Sequence, residues 1–372
     1  MTMPLTQAPL TTGDPMPDIP LPNQAGGLVS LYQQKVAGDP VVLLLCAAAN
    51  DPTSLGQLQR LSALASDFQS TGTHIFAVTT DSPVANDSLV RAHGLDFEVL
   101  SDPAGLLFRS FAMGPASPSR TVVLGPDLRV GRVIDGLSQP DEALEHCKTA
   151  YPPAAEPEVV TAHAPVLCID DVFPPEFCDD LIGVWERGDK RADVVGRRGQ
   201  AVVGTTTKKR TDHHILDPDV IQRVSFYIGR RVLPEMAKAF QFRVLRTETL
   251  RVGCYDAVDG GGYFRRHRDT GKPNTEHRRY AMSLNLNTGD YEGGYIRFPE
   301  YGPLLYEPRR GGAVVFSCSL LHEALPVTAG RRFALFTFFS GEQMPEGWPW
   351  QSLGSLTGRP GAPGIQVHGA GN

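Results

Sequence analysis

Residues 263–269 read Tyr263-Phe264-Arg265-Arg266-His267-Arg268-Asp269. On an extended strand, positions i and i+2 face the same way, so His267 and Asp269 can reach one metal while Arg268 points away. A second histidine, His322, follows in Leu320-Leu321-His322-Glu323-Ala324-Leu325-Pro326-Val327. Two histidines and one carboxylate make the facial triad that holds Fe(II) and leaves coordination positions open for chemistry. The bland alternative is a surface HxD turn beside an unrelated buried histidine. Ten residues past His322 lies Arg332, in Gly330-Arg331-Arg332-Phe333-Ala334-Leu335-Phe336. The strand expected there sets Arg332 on one face with Ala334, Phe336 and Phe338. A cation among apolar side chains needs an anionic partner or a route to water. A dicarboxylate cosubstrate would supply the partner through a bidentate guanidinium–carboxylate pair. An arginine merely capping a strand end in solvent is the alternative, and beside the triad it is the weaker reading.

Around these residues the chain divides into two textures. The stretches 247–255, 263–267, 281–287, 294–298, 313–317 and 333–339 have strand composition and are broken by Gly and Pro. Many short strands with Gly-rich turns indicate a β-sandwich or barrel. Helical stretches at 175–187 and 218–240 precede all of them. Earlier in the chain, apolar strands at 41–45, 74–78, 97–100 and 121–124 alternate with helical spacing at Leu55, Leu58, Leu61, Leu64 and Phe68. That alternation indicates an α/β domain with part of its sheet parallel. The expected layout is an α/β domain at 14–150, a Pro-rich linker at 151–165, an all-β domain with flanking helices at 166–345, and a loose tail at 346–372. Residues 1–13 are expected to be disordered.

The 372 residues carry a formal net charge of −6, which argues against a nucleic-acid-binding protein. The run Lys208-Lys209-Arg210 reads as a solvated turn rather than a binding surface. No stretch approaches the ~18 apolar residues of a membrane span, and Met1 to Asp14 lacks the pattern of a signal peptide. Cys46, Cys147, Cys168, Cys178, Cys254 and Cys318 form no CxxC pair, so reduced thiols in a cytoplasmic protein are expected.

The HxD, the distal histidine, the basic residue ten positions on and the connecting text resemble the prolyl-4-hydroxylase-type branch of the 2-oxoglutarate and Fe(II)-dependent dioxygenases. The connecting text comprises Cys254-Tyr255, Ser283-Leu284-Asn285, Gly293-Gly294-Tyr295-Ile296-Arg297-Phe298-Pro299, and Pro308-Arg309-Arg310-Gly311-Gly312-Ala313 followed by Phe316. The resemblance spans residues 165–340 and implies a double-stranded β-helix, or jelly roll. It implies that His267, Asp269 and His322 bind Fe(II) and are catalytic, and that Arg332 holds the distal carboxylate of 2-oxoglutarate. Tyr255 would line the cosubstrate pocket, with Tyr263 near the site and plain core packing as the alternative for both. Ser283 stands where many relatives carry a cosubstrate-binding tyrosine, and its hydroxyl could reach through a water. The implied reaction consumes O2 and 2-oxoglutarate, releases succinate and CO2, and hydroxylates a peptidyl proline, an amino acid or a small metabolite. Asp269 fills the position that related halogenases leave open for halide, which favours hydroxylation. Ascorbate (vitamin C) is the candidate reductant.

Residues 14–150 resemble the thioredoxin-fold peroxiredoxins through Gly13-Asp14-Pro15-Met16-Pro17-Asp18, Leu100-Ser101-Asp102-Pro103-Ala104-Gly105 and Arg120-Thr121-Val122-Val123-Leu124. The family motif P-x-x-x-T-x-x-C is replaced here by Ala47, Asp51 and Ser54, and a serine cannot supply a low-pKa thiolate. Cys46 is expected to be a core thiol, and Arg120 has no task without the cysteine. The domain is therefore read as silent, kept for docking of a protein partner, substrate presentation or stability. Two alternatives stand beside the oxygenase: a thiol peroxidase using Cys46, and a non-catalytic jelly-roll scaffold or sensor.

Overall fold

The computed structural model describes residues 8–33, 36–47, 49–152, 159–192, 207–258, 260–271, 273–343 and 366–368. The chain forms two compact units, Met1–Glu158 and Val159–Asn372. Most of the expected linker, at 153–158, and residues 1–7 lie outside the described residues.

In the first unit, five strands lie in the order Glu98–Ser101, His74–Thr79, Val41–Cys46, Arg120–Leu124 and Val130–Ile134. The first three are parallel and the last two antiparallel. The central run Val41-Val42-Leu43-Leu44-Leu45-Cys46 is unbroken by polar residues because both of its faces are covered. Val41, Leu43 and Leu45 enter one apolar cluster, while Val42, Leu44 and Cys46 enter the other. The expected single helix is two, Pro52–Ala63 and Ala65–Ser70, joined at Leu64. Leu58, Leu61 and Phe68 stay buried across the break, so the apolar spacing survives it. Residues 8–13, expected to be disordered, are held in part: the Leu10 amide donates to the Ser110 carbonyl at 2.7 Å and the Gly13 amide to that of Val130 at 2.7 Å. Backbone groups with fixed partners order a segment whose composition alone would not.

The second unit is a jelly roll of two sheets. The larger runs Val166–Ile169, Ala313–Ser317, Tyr280–Asn285, Val327–Gln343, Arg251–Asp256, Thr211–His214, Arg191–Ala192. The smaller runs Lys208–Lys209, Tyr263–His267, His322–Ala324, Ile296–Arg297, Leu305–Tyr306. The two-residue period sorts the larger sheet's side chains. Val252, Cys254, Leu284, Val315 and Leu335 pack with helix Pro175–Arg187 in the main core. Arg251, Tyr255, Ser283, Phe316 and Arg332 belong to the other face and line a cavity.

Three expectations are corrected here. The stretch 247–255 is two strands, Phe242–Glu248 and Arg251–Asp256, each paired to the long Val327–Gln343 strand. The helical stretch 218–240 is helix Pro218–Tyr227, a wide π-helical turn at Ile228–Val232, and helix Leu233–Phe240. Pro234 lacks an amide and crowds the carbonyl four residues back, which a widened turn relieves. The tail is not wholly loose, since Gln366–His368 pairs in parallel with Arg246–Glu248; residues 344–365 and 369–372 lie outside the described residues. No helix among the described residues is long and apolar enough to cross a membrane.

Candidate metal and cosubstrate site

Antiparallel pairing sets His267 directly opposite His322, after a register shift between Phe264 and His267. The strand ends at His267, so Asp269 is not a strand neighbour two residues on, as the spacing suggests. It lies in the bend beyond, anchored by its amide donating to the Cys318 carbonyl at 3.0 Å. The bend still delivers the carboxylate: Oδ1 is 3.4 Å from His267 Nε2 and Oδ2 is 3.3 Å from His322 Nε2. One ligand atom from each of the three residues lies within 4.8 Å of the others.

Both imidazoles are oriented from behind. His267 Nδ1 meets the Arg265 carbonyl at 2.7 Å, and His322 Nδ1 meets the Leu320 carbonyl at 3.0 Å. Protons on the Nδ1 atoms leave both Nε2 lone pairs facing the cavity, the tautomer a metal requires. Phe264 stacks on His267 at 3.5 Å between centroids, and Phe316 packs against His322 at 4.6 Å. Burial works against ionisation of Asp269, but the flanking His267 and His322 side chains hold its carboxyl far below the usual range. Burial depresses His267. Burial lowers His322 too, yet it is raised overall because the Asp269 carboxylate and the Leu320 carbonyl together outweigh that burial. A carboxylate anion flanked by two nitrogen donors is a donor set suited to a divalent transition metal.

The triad opens onto a cavity of about 360 Å³ that Arg332 also lines. Arg332 is 1% exposed, and its Nη2 donates to Ser283 Oγ at 3.2 Å and Asn285 Oδ1 at 2.7 Å. Both acceptors are neutral. Its Nε is buried with no hydrogen-bond partner, and Arg332 makes no ion pair among the described residues. A buried guanidinium held by neutral groups, with a donor left over, is incomplete without an anion. The residues therefore fit both a metal and a dicarboxylate. Ser283 touches the arginine directly. Asn285 was not singled out from the sequence, although it shares a strand face with Ser283 two residues away; its Nδ2 donates to Tyr291 Oη at 3.0 Å and to the Pro308 carbonyl at 3.2 Å, which fixes its carbonyl on Arg332.

Gly294, at φ +69°, is where Arg332 passes: a Cβ there would lie 2.9 Å from Arg332 Cδ and 2.9 Å from Val327 Cγ2. Gly294→Ala is expected to cost about 1–3 kcal/mol for the left-handed backbone and to displace Arg332. Thermal unfolding and 2-oxoglutarate titration check the two effects separately.

Tyr255 is buried on the cavity wall, and its Oη accepts from Arg210 Nη1 at 3.1 Å. Tyr263 is not on that wall. The largest correction concerns Lys208-Lys209-Arg210. Lys208 and Arg210 are not solvated: each side chain is 4% exposed and both reach Asp212, at 3.4 Å and 2.5 Å. A nearby carboxylate, invisible as a partner in the linear sequence, makes their burial tolerable. Burial works against ionisation of Asp212, yet the Arg210 guanidinium beside it keeps its carboxyl below the usual range.

In the first unit, Asp51 caps helix Pro52–Ala63, its Oδ2 accepting from the Ser54 amide at 3.0 Å. A carboxylate thus occupies the helix start at the positions matched to the peroxiredoxin motif. Arg120 is engaged by Asp135 at 2.8 Å. Cys46 is fully buried, and burial, with Asp51 adding to it, pushes its thiol up to about 12. At neutral pH about one thiol in 10⁵ would then be ionised, far too few for a peroxidatic nucleophile. Hydrogen peroxide consumption by the intact protein is expected to equal that of Cys46→Ser, at the level of buffer; a rate lost on that substitution would restore the peroxidase reading.

His267, Asp269 and His322 thus share one jelly-roll cavity with the buried Arg332. Residues 250–340 match the 2OG-Fe(II) oxygenase superfamily, and residues 12–131 match the AhpC/TSA family. The two matched regions fall one in each compact unit of the chain. Among solved structures, a Pseudomonas putida prolyl-4-hydroxylase is 19% identical, covering 48% of this chain and 94% of that one, with a TM-score of 0.34. Peroxidoxin BcpB from Mycobacterium tuberculosis is 25% identical, covering 37% of this chain and 97% of that one, with a TM-score of 0.34. The Xanthomonas campestris bacterioferritin comigratory protein is 22% identical, covering 36% of this chain and 92% of that one, with a TM-score of 0.32. No curated protein matches the chain.

Proposed function

We propose that the protein hydroxylates an organic substrate, with His267, Asp269 and His322 as the ligands of Fe(II) and Arg332 as the anchor of the 2-oxoglutarate distal carboxylate. The observation that carries this reading is the buried Arg332, which has only neutral partners and a spare Nε donor in the same cavity as the triad. When bound, Fe(II) with 2-oxoglutarate and O2 couples loss of CO2 from the keto acid, leaving succinate, to insertion of one oxygen atom into a substrate C–H bond.

The chain's own residues supply the geometry. The Arg265 and Leu320 carbonyls hold the two imidazoles in the metal-binding tautomer. Asp269 brings a negative charge that lowers the net charge of the centre. Ser283 and Asn285 hold Arg332 in one orientation, so a dicarboxylate meets a prepared fork rather than a mobile side chain. Phe264, Phe316, Phe336 and Phe338 give the cavity apolar walls that limit water around the reacting groups. Ascorbate as a reductant belongs to the same proposal and rests on the family resemblance alone.

Anaerobic addition of Fe(II) and 2-oxoglutarate to the metal-free protein tests the reading. A weak visible absorption band, absent with either component alone, is expected. Folded protein that takes up metal yet gives no band would leave the scaffold or sensor reading standing instead.

A further inference from the structure

Lys208, Arg210 and Arg251 gather on one part of the cavity wall beside the carboxylate of Asp212. The wall includes Lys208, Arg210, Arg251, Arg268, Arg278 and Arg332, against the two carboxylates Asp269 and Glu323. Glu323 is engaged by Arg297 at 2.6 Å and Arg266 at 3.3 Å, Arg268 by Glu300 at 2.6 Å and Arg278 by Glu248 at 2.6 Å, so the cations that matter here are Lys208, Arg210 and Arg251. Lys208 and Arg210 meet at Asp212, and Arg251 contributes to holding that carboxyl ionised.

This cluster is built into the fold. Asp212 stands opposite Gly253 in the register, and a Cβ on Gly253 would lie 2.6 Å from Asp212 Oδ1 and 2.8 Å from Arg210 Cδ. A side chain is omitted where the pair lies. The cluster also touches both halves of the proposed site. Lys208 Nζ sits 5.1 Å from the centre of the Phe264 ring, which stacks on His267 at 3.5 Å. The Arg210 guanidinium is 5.4 Å from the Tyr255 ring, and that of Arg332 is 5.3 Å from the same ring. Each of these cations has neighbours of its own. Their summed field inside a walled cavity is what concentrates an anion.

We propose that the substrate is a small organic anion whose carboxylate or phosphoryl group is held by Lys208, Arg210 and Arg251, one aromatic ring away from the triad. The inference rests on the function proposed above and names the substrate class. Recognition inside the cavity favours a small molecule over an acidic segment of a folded partner, because the Lys208 and Arg210 side chains are 4% exposed rather than set on a rim.

The test uses the full chain loaded with Mn(II) and saturating 2-oxoglutarate, with equilibrium binding measured by calorimetry. The probes are N-acetyl-L-aspartate and succinate as carboxylates, glycerol phosphate as a phosphoryl anion, N-acetyl-L-asparagine amide as a neutral control, and an acidic peptide. At least one small anion is expected to bind about tenfold or more tightly than the neutral control, with affinity falling as salt rises. The probe that binds separates carboxylate from phosphoryl recognition. Arg251→Gln should weaken that binding about tenfold, as for a lost charge-assisted contact, with Arg251→Lys recovering part of it; Lys208→Gln is the second variant should the first unfold. Small anions that bind no better than the control, binding indifferent to both variants, or binding of the acidic peptide alone would overturn the proposal. Failure of 2-oxoglutarate itself to bind in an Arg332-dependent way would sink the function proposed above instead, and is read from the separate 2-oxoglutarate titration.

Discussion

Asp269→Asn is expected to abolish turnover and the visible band while leaving the protein folded. The substitution keeps the side chain's shape and removes its charge, so the bend that follows the Tyr263–His267 strand and the backbone hydrogen bond donated to the Cys318 carbonyl persist. What goes is the one anion between two imidazoles whose Nε2 atoms lie 3.4 Å and 3.3 Å from it. A lost outer-shell partner already costs ~10–100-fold in metal affinity, and a lost ligand costs more. Metal affinity should therefore fall by more than about 100-fold relative to the parent protein, read by titration and as metal lost on desalting. Metal retained at full stoichiometry would show that the carboxylate is not a ligand. His267→Ala should lose the metal as well, because His322 and Asp269 alone leave the third position to water.

Arg332→Met is expected to act on the cosubstrate and not on the metal. Truncating one partner of a buried charge pair costs about 2–5 kcal/mol. At ~1.4 kcal/mol per decade, the 2-oxoglutarate concentration for half-maximal turnover should rise by well over an order of magnitude, with Fe(II) binding unchanged. The same substitution has an opposite sign in stability. Without cosubstrate, Arg332 is a buried cation with neutral acceptors and an unpartnered Nε, and an apolar side chain of similar length removes that burden. The metal-free, cosubstrate-free variant should melt at or above the parent's temperature. Excess 2-oxoglutarate should stabilise the parent by about 2.7 kcal/mol at 100 times its dissociation constant and the variant by almost nothing. A variant that unfolds at lower temperature and still responds to 2-oxoglutarate would mean that Arg332 is structural.

Much of the site was legible because its chemistry is written in residue types that have few other reasons to coincide. His267, Asp269, His322 and Arg332 come to one cavity, as their spacing suggests. The route differs for Asp269, which arrives through a bend anchored on Cys318, a contact 49 residues away in sequence that no local period encodes. Asn285 escaped notice because an asparagine on a strand has no distinctive pattern until its partners, Arg332 and Tyr291, are folded against it. The reading of Lys208-Lys209-Arg210 as solvated failed for a related reason. Charge runs are usually outside, and what overturned the default was Asp212 lying on the same sheet face over a glycine two strand positions from Arg251.

By itself, the sequence determined the two-domain division, the apolar central strand Val41–Cys46, the serine matched to the peroxidatic position, and the residue types proposed as metal ligands. The first two follow from composition and from periods of two and 3.6 residues, which are local properties of the backbone, and the last two from motifs that resemble known families. Only the tertiary structure decided where strands end, that Asp269 reaches the histidines through a bend, that Asn285 holds Arg332, and that Lys208 and Arg210 are buried on Asp212. Those outcomes depend on burial and on partners distant in the chain, and desolvation has no signature until the fold removes the water.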